Sequence, residues 1–328
     1  MNSLGRLPLK PWLNYTMSYK KKVLIITYYW PPSGGSGVQR WLKFSKYLRD
    51  FNIEPVIYTV DNPSYPINDT SLESEIPLGL EVLKQPIFEP NFFLSIFGNN
   101  KKKESAGFLN PNPTLLGRFF QYVRANYFIP DARKFWIKPS VKFLSNYLKN
   151  NKIDAIITTG PPHSMHLVGL ALRDKFKIKW ISDFRDPWTE IDYFQQLPLT
   201  KKANKKHHQL EQEVLEKSDM VIVVGETMKK KFLKNNHNIE VLTNGFDSYE
   251  NSLTIELDSN FSITHVGSMN TDRNPTILWE VLYEISSENI DFKNNLRIKF
   301  IGKIDDTVIQ DIQVFNPKNI VRIPYLDH

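Results

Sequence analysis

The chain is 328 residues long, more than one ordinary α/β domain, so two domains are expected. Apolar residues at 41% and aromatics at 13% suffice for sizeable cores, and the lack of any cysteine excludes a disulfide framework and a zinc–thiolate site. An excess of 42 Lys+Arg over 35 Asp+Glu gives +7, which favours anionic partners and leaves nucleic acid, an anionic membrane surface and a nucleotide-linked substrate all open.

No stretch reaches the roughly 18–20 apolar residues of a membrane helix. The opening MNSLGRLPLKPWLNYT lacks the long apolar core of a signal peptide. Residues 1–20 are expected to be a disordered extension or to follow a misassigned start, with Met1 and Met17 as the candidate initiators. The first structured stretch is KVLIITYYWPPSGGSGVQRWLKFSKYL, residues 22–48. It reads as a buried strand from Val23 to Tyr28, a loop from Pro31 to Gly37 and a helix starting near Val38. Gly34, Gly35 and Gly37 let the backbone take positive φ and approach a ligand closely. The N–H groups of the following helix make an anion site there. A phosphate-bearing or polyhydroxyl ligand and a plain strand-to-helix connection are both compatible with this stretch.

Glu54 to Val60 is a second strand that closes a βαβ unit, Asp61 to Pro77 is loop, and Glu81 to Lys84 is a short third strand. A dinucleotide fingerprint would place a third glycine where Arg40 stands, which counts against a dehydrogenase. Between Phe88 and Phe135, Phe92, Phe93, Phe97, Phe108, Phe119, Phe120, Tyr122, Tyr127 and Phe128 interleave with Lys101, Lys102, Lys103, Arg118 and Arg124. Such a pattern suits a helical insertion packed inward, an amphipathic segment at a membrane interface, or stacking on a single strand.

Regular alternation resumes with a strand from Ile153 to Thr159 ending in Gly160-Pro161-Pro162-His163-Ser164. A helix from Met165 to Phe176 and a strand from Ile178 to Asp183 lead to Phe184-Arg185-Asp186-Pro187-Trp188. Ligands of open α/β sheets bind outside the carboxyl ends of the strands. GPPHS, DFRDPW and the glycine loop therefore share one rim. His163 is either a group titrating near neutrality or a structural loop residue. Asp183, Arg185 and Asp186 either contact a ligand or form a local ion-pair cluster. The helix from Lys201 to Lys217 opens with KKANKKHH on an expected solvated face, and the adjacent His207 and His208 point to different faces. A strand from Asp219 to Val224, a helix from Glu226 to Lys234 and a strand from Ile239 to Thr243 complete this half. The polar stretch from Ser248 to Asn260 marks a boundary. Beyond it come a strand from Phe261 to Val266, a loop from Gly267 to Arg273, and a helix from about Pro275 to Ser287. Strands from Leu296 to Gly302 and from Asn319 to Ile323 flank a helix near Asp305 to Gln313.

The expected fold class is α/β, with two Rossmann-like domains of which the second is incomplete. The division is an N-terminal domain over 21–247, a linker over 248–260 and a partial C-terminal domain over 261–328.

Five stretches together carry a family resemblance: YYWPPSGGSGVQRW, TTGPPHSMHLVGLAL, ISDFRDPW, VLTNGFD and THVGSMNTDRNPTILWEVL. In this order and spacing they resemble the family 4 glycosyltransferases of GT-B architecture, from about Lys22 to His328. The resemblance implies transfer of a sugar from a nucleotide-sugar donor to a glycan or lipid-linked acceptor, with retention and no essential metal or other cofactor. It implies an acceptor-side N-terminal domain and a donor-side C-terminal one. Gly34, Gly35 and Gly37 would meet donor phosphate or acceptor, Asp186 would approach the donor sugar, and Gly267 and Ser268 would bring backbone to the diphosphate. Arg273 would neutralise that diphosphate, since preorganised N–H donors and a guanidinium stabilise a departing anion without a metal. His163 and Arg185 complete the substrate-binding set on the shared rim.

Two departures stand out. Many members carry a histidine where this chain reads Arg185-Asp186, and the paired glutamates of the second domain are expected beyond His328, so the chain is expected to be a fragment of a longer protein. The leading expectation is a cytoplasmic enzyme of cell-surface polysaccharide synthesis, peripheral to the anionic inner face of the membrane, with no nucleic-acid partner. The alternative is a catalytically impaired fragment that binds an acceptor or a partner enzyme. A Rossmann enzyme of another class, such as an epimerase or dehydrogenase, is disfavoured by the glycine spacing.

Overall fold

The computed structural model describes residues 20–89, 115–191, 194–246, 256–315 and 317–326. The expected N-terminal extension, apart from Lys20, therefore lies outside the described residues. So do the aromatic and basic residues of 90–114 and most of the 248–260 linker.

Seven parallel strands form the larger sheet in the order β3-β2-β1-β4-β5-β6-β7. They are β1 (Lys21–Ile26), β2 (Ile53–Val60), β3 (Glu81–Gln85), β4 (Ala155–Gly160), β5 (Lys179–Phe184), β6 (Met220–Val223) and β7 (Ile239–Val241). The helices between them are α1 (Ser36–Tyr47), α2 (Leu115–Tyr127), α3 (Lys134–Asn150), α4 (Ser164–Phe176), α5 (Lys201–Lys217) and α6 (Glu226–Phe232). The alternation of a strand explains the layering. Leu24 and Ile26 of β1, with Val56, Tyr58 and Val60 of β2, enter one core cluster, whereas Val23, Ile25 and Ile57 enter the other. Both faces of β1 are thus covered, as a continuous run of β-formers requires in a parallel sheet.

The chain moves outward from β1 through β2 to β3, then returns to β4 on the opposite side of β1. That reversal opens a crevice at the carboxyl ends of β1 and β4. The glycine loop follows β1 and GPPHS follows β4, so the two predicted motifs flank the crevice.

A smaller parallel sheet, in the order β10-β9-β8, is built from β8 (Phe261–Val266), β9 (Leu296–Ile301) and β10 (Ile320–Ile323). Helices α7 (Thr276–Glu288), α8 (Ile290–Asn295) and α9 (Asp306–Asp311) belong to the same unit. Its separate core gathers Trp279, Leu282, Ile298, Phe300, Val308 and Ile312.

Candidate functional site

The rim is organised by a buried ion pair. Arg40, on α1, donates through Nε and Nη2 to the two carboxylate oxygens of Asp183 at 3.3 and 3.0 Å, and the side chains are 2% and 0% exposed. Trp41 Nε1 at 2.7 Å and Thr159 Oγ1 at 2.9 Å also donate to Asp183. The remaining guanidinium nitrogen of Arg40 reaches Thr243 O at 3.2 Å and Asn244 Oδ1 at 3.1 Å. One cluster therefore ties α1, β4, β5 and the segment after β7. Asp183 is consumed by the fold, which decides between the two roles open to it in the sequence.

Arg185 bridges the neighbouring loops, with its Nε left without a hydrogen-bond partner among the described residues. It donates to Gly37 O at 2.9 Å and to Pro161 O, and its guanidinium lies over the Tyr29 ring at 5.9 Å. A Cβ at Gly37 would come within 2.7 Å of Arg185 Nη1, so Gly37 admits the arginine. A Cβ at Gly34 would press on Ile67 at 2.7 Å and on the Tyr325 hydroxyl at 2.9 Å. Gly35 differs: its φ is +87° and nothing lies within 4 Å of where its Cβ would stand. It opens α1, which has no side-chain cap and no acidic residue in its first turn. Of the three loop glycines, Gly35 is the one that faces open space.

His163 is buried, stacked on Trp188 at 4.9 Å with 3° between the rings. His166 stacks on Phe184 at 4.5 Å and pairs through Nδ1 with Thr158 Oγ1 at 2.9 Å. A Cβ at Gly160 would meet His166 Nε2 at 2.5 Å and His163 Nδ1 at 3.0 Å, so this glycine makes room for the imidazoles. Burial, reinforced by the Arg185 charge, pushes His166 down to about 3, and burial together with His166 and Arg185 holds His163 well below the ordinary histidine value. Both are neutral at physiological pH. Of the two readings open to His163 in the sequence, its burial and its stacking on Trp188 favour the structural loop residue over a group titrating near neutrality. His207 is also buried, accepting from Trp188 Nε1 at 3.0 Å, while His208 on the neighbouring face is exposed.

Asp131 was not singled out by sequence reasoning, yet it fills the N-terminus of α4, accepting from Ser164 N and Ser164 Oγ, both at 2.8 Å. No local pattern ties it to a serine 33 positions later. Asp186 follows Arg185 with its side chain exposed at the rim.

The second domain presents its own strand-end loop. Gly267 has φ +120° and open space where its Cβ would stand, and Ser268 is exposed beside it. Gly302, at φ +121°, lets the Gly267 carbonyl pack to within 2.5 Å of the position a Cβ would take. Arg273 is exposed in the 3₁₀ turn Thr271–Arg273 and makes no ion pair among the described residues. The domains meet through Gln196 Nε2 donating to Asp272 Oδ2 at 3.0 Å and Tyr325 donating its hydroxyl to Asp69 Oδ2 at 3.0 Å. Gly35 N also donates to the Tyr325 hydroxyl at 3.4 Å.

Residues 103–249 match the family model described as Glycosyltransferase Family 4. No curated protein matches the sequence. Among solved structures, the chain is similar to a sucrose-phosphate synthase from Thermosynechococcus elongatus, with 13% identity, coverage of 94% of this chain and 71% of that one, and a TM-score of 0.55. It is also similar to TarM of S. aureus, crystallised with Fondaparinux, alpha-GlcNAc-glycerol and UDP, with 13% identity, 93% and 78% coverage, and a TM-score of 0.51. A putative UDP-N-acetylglucosamine 2-epimerase from Listeria monocytogenes is similar at 11% identity, 94% and 70% coverage, and a TM-score of 0.50. At such identities the likeness is one of fold, and the family rests on the matched segment. Residues 103–249 belong to the family 4 glycosyltransferases, and the chain that contains them has the GT-B fold of two Rossmann-like domains, the second smaller.

Proposed function

We propose that this chain transfers a sugar, with retention of anomeric configuration, from a nucleotide-sugar donor to a glycan or lipid-linked acceptor in cell-surface polysaccharide synthesis. The observation that carries this reading is the Gln196–Asp272 hydrogen bond at 3.0 Å, which brings the turn bearing Arg273 to the segment that follows DFRDPW. A donor held between the domains would place its diphosphate against the Ser268 N–H, beside the open face at Gly267, whose own N–H is held by Ile301 O. Arg273 would grip two of its oxygens as the leaving group gains charge. Asp186 would approach the donor sugar, and Gly35, at the uncapped start of α1, would meet phosphate or acceptor. Gly34, Gly37, Arg185 and His163 act in this scheme by holding the loops in place. The scheme requires no metal, because a guanidinium and backbone donors supply the neutralisation. UDP bound to the structurally similar TarM supports a nucleotide-linked donor. A cytoplasmic setting at the membrane's inner face fits that chemistry, since nucleotide sugars and lipid-linked acceptors meet there. The test is a screen of nucleotide sugars with glycan and lipid-linked acceptors, reading nucleoside diphosphate release and the anomeric configuration of the product by NMR. Inversion would remove the retaining assignment. Donor binding without turnover would favour an acceptor- or partner-binding module, and absence of any donor binding would sink the reading.

A further inference from the structure

Helix α2 is 13 residues long and buries only Ala125. Leu115, Phe119 and Tyr122 fall on one stripe by their four- and three-residue spacing, and Leu116 stands next to it. All four are exposed, Leu115 at 85% and Phe119 at 59%. A soluble helix ordinarily turns such a stripe inward. The helix sequence, LLGRFFQYVRANY, has no acidic residue and carries exposed Arg118 and Arg124.

A second basic element lies alongside. Asn126 donates to Pro198 O at 2.8 Å and accepts from Thr200 N at 2.7 Å, which docks α2 beside the start of α5. The first two turns of α5 expose Lys201, Lys202, Lys205 and Lys206, with no acidic residue in the first turn. Cations at a helix N-terminus oppose the macrodipole, so the fold gains nothing from placing four there. An anionic partner does.

We infer that α2 and the α5 lysines form a docking surface for an anionic lipid bilayer. The apolar stripe enters the boundary between headgroups and acyl chains, and the lysines meet the headgroups. Flexible lysine stems offer charge without a fixed fork, which suits a fluid array of phosphates better than one folded epitope. The segment that follows α2 runs to the strand-end rim. Just past α2, Asp131 caps α4 and Arg133 lies 4.6 Å over the Tyr28 ring at the end of β1. This deepens the proposed function by choosing a lipid-linked acceptor over a soluble one, and it rests on that reading for the acceptor alone.

The chain has no cysteine, so Phe119→Cys creates a single attachment point for an environment-sensitive dye. With vesicles of phosphatidylcholine and phosphatidylglycerol the dye emission should shift to the blue, and phosphatidylcholine alone or high salt should abolish the shift. A dye at Glu280→Cys, exposed on α7, should not respond. Vesicle flotation of the full chain should fall about tenfold in Leu116→Ser/Phe119→Ser and in Lys201→Glu/Lys205→Glu, with nucleoside diphosphate binding unchanged in both. Absence of anionic-vesicle binding, or binding unaltered by both double variants, would overturn the inference, as would a shift with polyglutamate and none with vesicles. None of these readouts depends on turnover, so the docking surface and the transfer reaction can fail separately.

Discussion

Arg40 and Asp183 stand 143 positions apart and meet as a bidentate pair with essentially no solvent access. A buried charge stripped of its partner is costly, so Asp183→Ala should destabilise the fold by about 3–5 kcal/mol. Urea unfolding of the purified variant measures this. A loss below about 1 kcal/mol would mean that the pair is not the tie between α1 and β5 that its geometry implies.

The loop glycines should separate by mechanism. Gly37→Ala drives a methyl toward Arg185 Nη1 and should cost about 1–3 kcal/mol through overpacking. Gly35→Ala meets no neighbour but must hold φ near +87° with an extended ψ, which costs about 1–3 kcal/mol of backbone strain. Thermal melts give the stabilities. If Gly35 meets the ligand, its variant should also weaken ligand binding, whereas Gly37→Ser with Arg185→Ala should recover stability relative to Gly37→Ser alone.

Arg273→Ala should lower donor turnover by about a hundredfold, and Arg273→Lys should restore only part of it, because a single ammonium cannot copy the fork. The side chain is exposed, so stability should stay within about 0.5 kcal/mol of the parent. Steady-state kinetics and a melt on the same preparation decide the matter. Unchanged kinetics would take Arg273 out of the site.

The buried imidazoles predict acid sensitivity with a definite sign. Burial depresses His166 to about 3 and His207 to about 4, below the roughly 6.5 of an unfolded histidine. As pH falls below about 6.5 the unfolded chain takes up protons that the folded chain refuses, so stability drops at up to about 1.4 kcal/mol per pH unit per histidine. That stability is fully present above 6.5 and declines toward the folded values. Denaturation midpoints at pH 7.5, 6 and 5 should show the decline, with a shallower slope in His166→Gln. Equal slopes in the two proteins would show that His166 does not contribute.

What the sequence disclosed depends on how local its cause is. The alternation of Val23 to Ile26 between two cores is a period of two residues, and β1 could be read from it. The shared rim followed from strand-then-loop order alone. Asp183 and Arg185 were visible as a charged cluster, but their partners Arg40 and Gly37 come from another element, so their structural commitment was not. His163 looked like a rim group because it sits in a loop. The Trp188 ring that covers it arrives from the next strand-end loop, and such packing has no periodic signature. Gln196–Asp272 and Tyr325–Asp69 join positions 76 and 256 residues apart, and no pattern along a chain announces them.

Asp131 has a further consequence for the crevice as a field. Its carboxylate answers the positive end of α4, while α1 opens at Gly35 with neither an acidic first turn nor a side-chain cap. Of the two helices that start at this crevice, α4 meets a carboxylate directly, whereas α1 is linked to Asp69 only through the Tyr325 hydroxyl. The crevice is therefore uneven, with the N-terminus of α1 less directly screened than that of α4. An elongated ligand with charge at one end has a preferred heading before any specific contact forms.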